Sequence, residues 1–332
     1  MAAIKPEGWL LESPENREAL RTPGGLIRAR EEGRTLEARA LICDSGHNLI
    51  VDLDCMRGRI PREEGALGIE DGSTRDIAVI SRVNKAVCFK VVDVRRQPDG
   101  KNLAILSRRA AQEEAMRLYI SALRPGDVID ARVTHLEPFG CFVDIGCGIP
   151  SLIPIDLISV SRISHPRDRF RVGQDIKVAV KSIEPGHRIC LTHKELLGTW
   201  EENASRFTPG ETVAGVVRSV ENYGIFVELT PNLAGLAEPK EGVRPGQSAS
   251  VYIKNLIPEK MKVKLIIVDS FDAEYKPEDP CYYISSGHLS RWFYSPPDCD
   301  KVIETVFENG EEPEETPPAG TPPETKPPGD PA

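Results

Sequence analysis

Between residues 34 and 268 apolar and polar side chains alternate in short runs such as Ile176 to Ile183 and Ala249 to Ile257, each bounded by glycine, proline or an acid. Alternation with period two marks strands that bury one face. The runs also recur. Leu123-Arg124-Pro125-Gly126-Asp127-Val128 returns as Phe207-Thr208-Pro209-Gly210-Glu211-Thr212-Val213, and Phe139-Gly140-Cys141-Phe142-Val143-Asp144-Ile145 returns as Tyr223-Gly224-Ile225-Phe226-Val227-Glu228-Leu229. A Pro-Gly turn therefore launches an apolar strand twice, the signature of tandem units. About five strands in roughly 65 to 75 residues fit a closed Greek-key barrel better than a sandwich.

A third, more divergent copy aligns Ile50-Val51-Asp52-Leu53 with Phe142-Val143-Asp144-Ile145 and Leu106-Ser107 with Leu191-Thr192. It lacks the rings: His47 and Ile50 stand where Phe139 and Phe142 stand, and Leu103 stands where Arg188 does. The chain is thus expected to be all-β dominated, with barrels over 34–109, 123–197 and 206–268. A helical extension over 1–33 is expected to begin at the Ser13-Pro14 cap, with a short second helix over Leu26 to Glu32. Helical joints are expected over 110–122 and 198–205, the latter as the end of a helix running from Lys194 to Ser205. Residues 269–307 carry eight aromatics, too many for a linker, and are expected to form an appendage packed on the third barrel, with Asp300 to Phe307 as a helix.

Composition adds a charge asymmetry. The net charge is −9, yet 308–332 alone holds seven acids and one lysine, and 269–307 holds eight acids and three bases. Residues 34–109 carry 14 bases and 11 acids, so the repeats are weakly positive and the end is acidic. Eight prolines in 308–332 and almost no apolar side chains predict a disordered tail, either a solubilising extension or a competitor for basic grooves. No apolar run is long enough for a membrane span or a signal-peptide core. The eight cysteines have no close ligand pairs, so they read as reduced thiols in a cytoplasm, and no metal or cofactor is expected.

The candidate chemistry lies in the ring-Gly-x-Phe pattern. Two rings three apart fall on opposite faces of a regular strand, but a bulge or bend at Gly140 and Gly224 would place Phe139 with Phe142, and Tyr223 with Phe226, on one exterior face. Val143 and Val227 would then enter the cores. Exposed rings beside cations bind unpaired bases. The cations are local: Arg169, Lys181 and Arg188 lie in a basic stretch of the second copy, and Lys260, Lys262 and Lys264 alternate with Met261, Val263 and Leu265 in the third.

On these residues all three blocks resemble the S1 RNA-binding domain, an oligonucleotide-binding-fold module. The second block carries the resemblance most fully, with Pro125-Gly126-Asp127, Phe139-Gly140-Cys141-Phe142-Val143-Asp144, and Glu184 four residues before Arg188. The resemblance implies RNA-facing roles for Phe139, Phe142, Glu184 and Arg188, and for Tyr223, Phe226 and Lys262. It also implies a non-enzymatic binder of single-stranded messenger RNA acting at the small ribosomal subunit, with a first copy that docks on protein. Pro154 and Glu238 stand where the family has a surface histidine. The alternatives are a protein-interaction scaffold or an RNA-binding regulator of decay or transcription. An enzyme is not expected, since only the carboxylate pair Asp52 and Asp54 suggests a nuclease and no catalytic motif accompanies it.

Overall fold

The computed structural model describes residues 4–98, 100–186, 188–273 and 278–307. The expected disordered tail, 308–332, lies outside the described residues. Helix α1 (Pro14–Leu20) begins at Ser13, whose side chain accepts from the Asn16 amide, and α2 (Pro23–Glu31) begins at Thr22, earlier than the apolar pattern alone implies. The first barrel follows with β1 (Thr35–Cys43), β2 (Leu49–Asp52), β3 (Arg57–Ile60), α3 (Ile77–Ile80), β4 (Ala86–Arg96) and β5 (Asn102–Ser107). Helix α4 (Arg108–Leu118) leads to the second, made of β6 (Val128–Glu137), β7 (Gly140–Asp144), β8 (Pro150–Pro154), β9 (Asp175–Glu184) and β10 (Arg188–Thr192). Helix α5 (Trp200–Ala204) precedes the third, made of β11 (Thr212–Glu221), β12 (Gly224–Thr230), β13 (Leu233–Ala237), β14 (Ser248–Ile257) and β15 (Lys262–Phe271).

All three barrels are closed, and in each the third strand runs parallel to the fifth while the other pairs are antiparallel. Closure removes the unpaired edges that would otherwise invite aggregation. Alternation fills the interiors: Val51, Val143 and Val227 are fully buried at equivalent positions, as are Leu106 and Leu191. The first strand of each barrel carries one extra residue opposite the second strand, at Leu41, Thr134 and Arg218. The fourth strand carries another opposite the fifth, at Val92, Lys181 and Lys254. These shared bulges keep the outward positions of the three copies in the same register even where their side chains differ.

Two straps tie the barrels together. Ahead of α1, the buried Glu7 carboxylate receives Arg108 through Nε at 2.7 Å and Nη2 at 3.0 Å, and pairs with Arg82 at 3.1 Å. Its amide donates to Asp144 of β7 at 2.7 Å, and Trp9 Nε1 donates to Asp175 at 2.7 Å. A segment before the first barrel thus bonds to both the first and the second.

The second strap corrects three expectations. Residues 300–307 form no helix: within them β17 (Glu304–Val306) pairs antiparallel with β16 (Arg291–Phe293), because Thr305 and Val306 are β-branched and Thr305 turns inward opposite Trp292. The stretch from Lys194 to Ser205 is not one helix either. Gly198 takes a φ of 85° and lies where a Cβ would come within 2.6 Å of the Tyr283 ring, so the chain turns there before α5 starts at its Thr199 cap. Finally, the appendage packs on two barrels rather than one. The Val128 amide donates to Gly287 O and the Lys177 amide to Tyr282 Oη, both at 2.9 Å, while the Trp200 amide donates to Tyr294 O and Tyr294 Oη to Asn232 O.

Candidate nucleic-acid interface

The hairpin register decides where the rings go. Glu137 pairs with Gly140 and Glu221 with Gly224, so Phe139 and Tyr223 sit in the tight turns that open β7 and β12 rather than within a bulged strand. The bulge expected at the glycines is on the partner strand instead, at Thr134 and Arg218. Glycine is needed for a different reason. A Cβ on Gly140 would lie 2.5 Å from the Ile153 carbonyl oxygen, and one on Gly224 would lie 2.7 Å from that of Ala237. Only a bare backbone lets the third strand approach so closely.

The consequence is two matching ring pairs on the barrel exteriors. Phe139 is 56% exposed and Tyr223 68%, while Phe142 and Phe226 are half-buried beside them. Centroid separations are 5.9 Å and 6.2 Å with the planes nearly perpendicular, an edge-to-face packing that props the outer ring against the inner one.

From each inner ring a row of outward side chains runs across the barrel. In the second barrel it is His135, Phe142, Leu152, Cys190 and Ser182; in the third, Ser219, Phe226, Leu236, Lys264 and Asn255. Leu152 and Leu236 lie outside the ring-Gly-x-Phe pattern, although outward parity on the strand before Pro154 and Glu238 marks them. Two residues before Cys190 stands Arg188, directly opposite Glu184; two residues before Lys264 stands Lys262, opposite Ile257. Arg188, Glu184, Lys260, Lys262 and Lys264 are all exposed, with Lys260 in the turn before β15. Each of the two barrels thus offers an apolar floor with rings at one end and a cation at a shared register.

The first barrel has the same row without rings: Ile42, Ile50, Arg59, Ile105 and Asp93. Ile50 occupies the Phe142 position and Leu103 that of Arg188, as the alignment implies. His47 is turned to Asp76, 3.3 Å away. Asp52 ends β2 and Asp54 lies in the turn after it, both exposed.

Two expected cations are elsewhere. Arg169 is buried, bonded through Nη2 to Glu228 of β12 at 2.5 Å and through Nε to Ser159 Oγ at 3.3 Å. Glu228 is also held by Arg218 at 2.9 and 3.0 Å, and Arg218 lies 3.5 Å from Asp168. These four charges form the joint between the second and third barrels, so Arg169 is a structural residue there and is removed from the interface. Lys181 is half-buried with its ammonium 5.3 Å from the Phe307 ring centroid, covering the appendage.

Several buried titratable groups with displaced pKa values lie at the joints. Burial pushes Asp144 up to about 7, helped by the nearby Glu7 charge, and pushes Glu37 up to about 7 for the same two reasons. For Glu7 burial acts upward too, but Arg108 and Arg82 outweigh it and hold the carboxylate below its ordinary value. His193, packed between Phe170 and Tyr282, is pushed down to about 4 by burial. It is neutral, with Nδ1 donating to Ile158 O at 2.9 Å.

A sequence model of the S1 RNA binding domain matches residues 122–194, the second barrel with its entry turn. The second barrel is thus an S1 RNA-binding domain by sequence as well as by strand order. It is 35% identical over 183 residues to the small ribosomal subunit protein bS1 of Staphylococcus aureus (strain COL), covering 50% of this chain and 46% of that protein. It is 31% identical over 279 residues to bS1 of Leuconostoc lactis, covering 78% and 61%, and 29% identical over 261 residues to a bS1 homolog of Bacillus cereus, covering 72% and 67%. The chain spans about half the length of the S. aureus relatives it matches. The first and third S1-like barrels repeat the strand order and bulge positions of the matched one. Among the described residues, no helix is long and apolar enough to cross a membrane.

Proposed function

We propose that this chain binds single-stranded RNA without catalysing a reaction, holding messenger RNA at the small ribosomal subunit in the cytoplasm. The reading is carried by one observation: an outward ring pair, with a cation at the same register, occurs in both the second and the third barrel. Unpaired bases stack on such rings, and Arg188 and Lys262 are placed to meet the backbone. Glu184, opposite Arg188, accepts hydrogen bonds from base edges and keeps the guanidinium oriented.

Stacking is worth about 1 to 3 kcal/mol per base, so one barrel binds weakly. Two barrels held in fixed relation bind one strand with an effective concentration that raises affinity by about 10² to 10⁴. The first barrel, with isoleucines and no ring pair, is not assigned a stacking role.

Fluorescence anisotropy on an unstructured RNA and on a duplex of the same composition tests the reading. Binding to the single strand that exceeds duplex binding at least about tenfold is expected, since paired bases cannot reach the rings. Equal binding to both, or none, contradicts it. Co-sedimentation with the small subunit in a sucrose gradient tests the ribosomal part, and absence from that fraction overturns it.

A further inference from the structure

The start of β6, which β7 does not reach, is a strand edge that the appendage fills. An extended stretch lies antiparallel beside it: the Val128 amide donates to Gly287 O and the Leu289 amide to Gly126 O, both at 2.9 Å, with His288 bridged to Asp127. His288 Nδ1 meets one Asp127 oxygen at 2.8 Å, while the other oxygen accepts the Arg124 amide. Leu289 joins the apolar cluster that holds Val128 and Ala179. The outward side chains at this end of β9 and β10, Ala179 and Thr192, are fully buried.

The third barrel repeats this edge and leaves it open. The Gly210 amide donates to Ile253 O and the Ile253 amide to Glu211 O, both at 2.8 Å, as Gly126, Asp127 and Val180 do in the second barrel. Thr212, opposite Tyr252, stands where Val128 stands opposite Ala179, so its amide points away from β14 and past the end of β12. Among the described residues, neither the Thr212 amide nor the Gly210 carbonyl has a partner. One Glu211 oxygen accepts the Thr208 amide at 2.9 Å, as Asp127 does for Arg124, and the other is unfilled. A Cβ on Gly126 would fall 2.1 Å from Leu289 O, whereas one on Gly210 would meet nothing within 4 Å. Tyr252 and Ile266, in the places of Ala179 and Thr192, are 37% and 42% exposed.

We propose that the edge from Gly210 to Thr212 binds an extended peptide segment of a partner protein by strand addition, as 287–289 binds the second barrel. Unpaired strand edges with an apolar margin are templates for such pairing. The segment already seated on the second barrel defines the chemistry of the occupant: a basic side chain facing Glu211, followed by an apolar one that covers Tyr252 and Ile266. A carboxylate at the centre of the edge repels phosphate, so the edge suits a peptide rather than RNA. The edge lies seven residues along β11 from Ser219 of the ring row, and the inference stands independently of the RNA-binding reading.

The test titrates a synthetic peptide of residues 284–291 into the full isotope-labelled chain and follows the amide resonances. Saturating shifts at Gly210, Glu211 and Thr212 are expected, with a dissociation constant of about 0.1 to 1 mM for so few contacts. A peptide carrying His288→Ala should bind roughly fivefold more weakly, and so should a chain carrying Glu211→Gln, whose side-chain oxygen still accepts from Thr208. Thr212→Pro removes the donor at the first residue of β11, where proline is tolerated, and should abolish the shifts. Excess oligouridine should leave them in place. Absence of saturating shifts at these residues up to about 5 mM peptide, or shifts that neither Glu211→Gln nor Thr212→Pro changes, overturns the proposal. Displacement by oligouridine assigns the surface to nucleic acid and overturns it as well.

Discussion

Arg169 of the second barrel and Glu228 of the third meet in a buried ion pair, with Arg218 on the other side of the same carboxylate. A buried pair contributes little net stability against an apolar isostere, but losing one member leaves an uncompensated charge. Glu228→Ala strands two arginines and should cost about 3 to 5 kcal/mol in denaturant unfolding. Arg169→Ala should cost less, because Arg218 still neutralises Glu228. The reverse order of the two losses would mean that the joint is not organised around the carboxylate.

The two joints should respond to pH in opposite directions. His193 is held near 4, below its ordinary value of 6.5, so its contribution is complete above pH 6.5 and is lost as pH falls toward 4. That loss is on the order of 3 kcal/mol, and His193→Gln should abolish it. Asp144 and Glu37 are raised to about 7, so the native state binds more protons than the unfolded one between their ordinary values and 7. Their contribution is complete at low pH and declines as pH rises to 7. Unfolding curves of Asp144→Asn and of His193→Gln, taken between pH 4.5 and 7.5 as a working range of roughly these values, should therefore deviate from the parent chain with opposite slopes. Parallel curves would contradict the assignment.

Gly140→Ala tests the close approach of β7 and β8. A methyl group meeting the Ile153 carbonyl oxygen at 2.5 Å and the Pro154 Cα at 3.2 Å must push backbone, not a flexible side chain. A cost of about 1 to 3 kcal/mol is expected in chemical denaturation. A neutral substitution would show that the hairpin yields and that glycine is not required there.

Salt dependence separates the cations. Lys262→Gln and Arg188→Gln should each reduce the slope of log affinity against log salt by about 1. Arg169→Gln should leave the slope unchanged, because its charge is spent on Glu228. A full unit lost with Arg169→Gln would return that residue to the interface.

The barrels and the ring pairs could be read from local pattern because both are written within short stretches: alternation within one strand, and a glycine next to a ring. What escaped depends on distant partners. Whether an arginine is buried is decided by whom it meets, and Arg169 meets a carboxylate 59 positions away. Glu7 likewise acts through Arg108, 101 positions on. The glycine-bearing strand alone does not locate the bulge, because register, which puts it at Thr134 and Arg218, is a property of the pair. The hairpin of β16 and β17 is hard to see in the sequence because acidic residues and a short span hide its β-branched pattern, although its aromatics point correctly to packing.

The central claim is that unpaired bases stack on Phe139 with Phe142 and on Tyr223 with Phe226. Anisotropy titrations with an unstructured RNA should compare the parent chain, Phe139→Ala with Phe142→Ala, Tyr223→Ala with Phe226→Ala, and all four together, with unfolding curves confirming that each remains folded. Each pair should weaken binding by at least about tenfold, and the fourfold variant should retain only salt-sensitive residual affinity. Unchanged affinity in the folded fourfold variant would contradict the account.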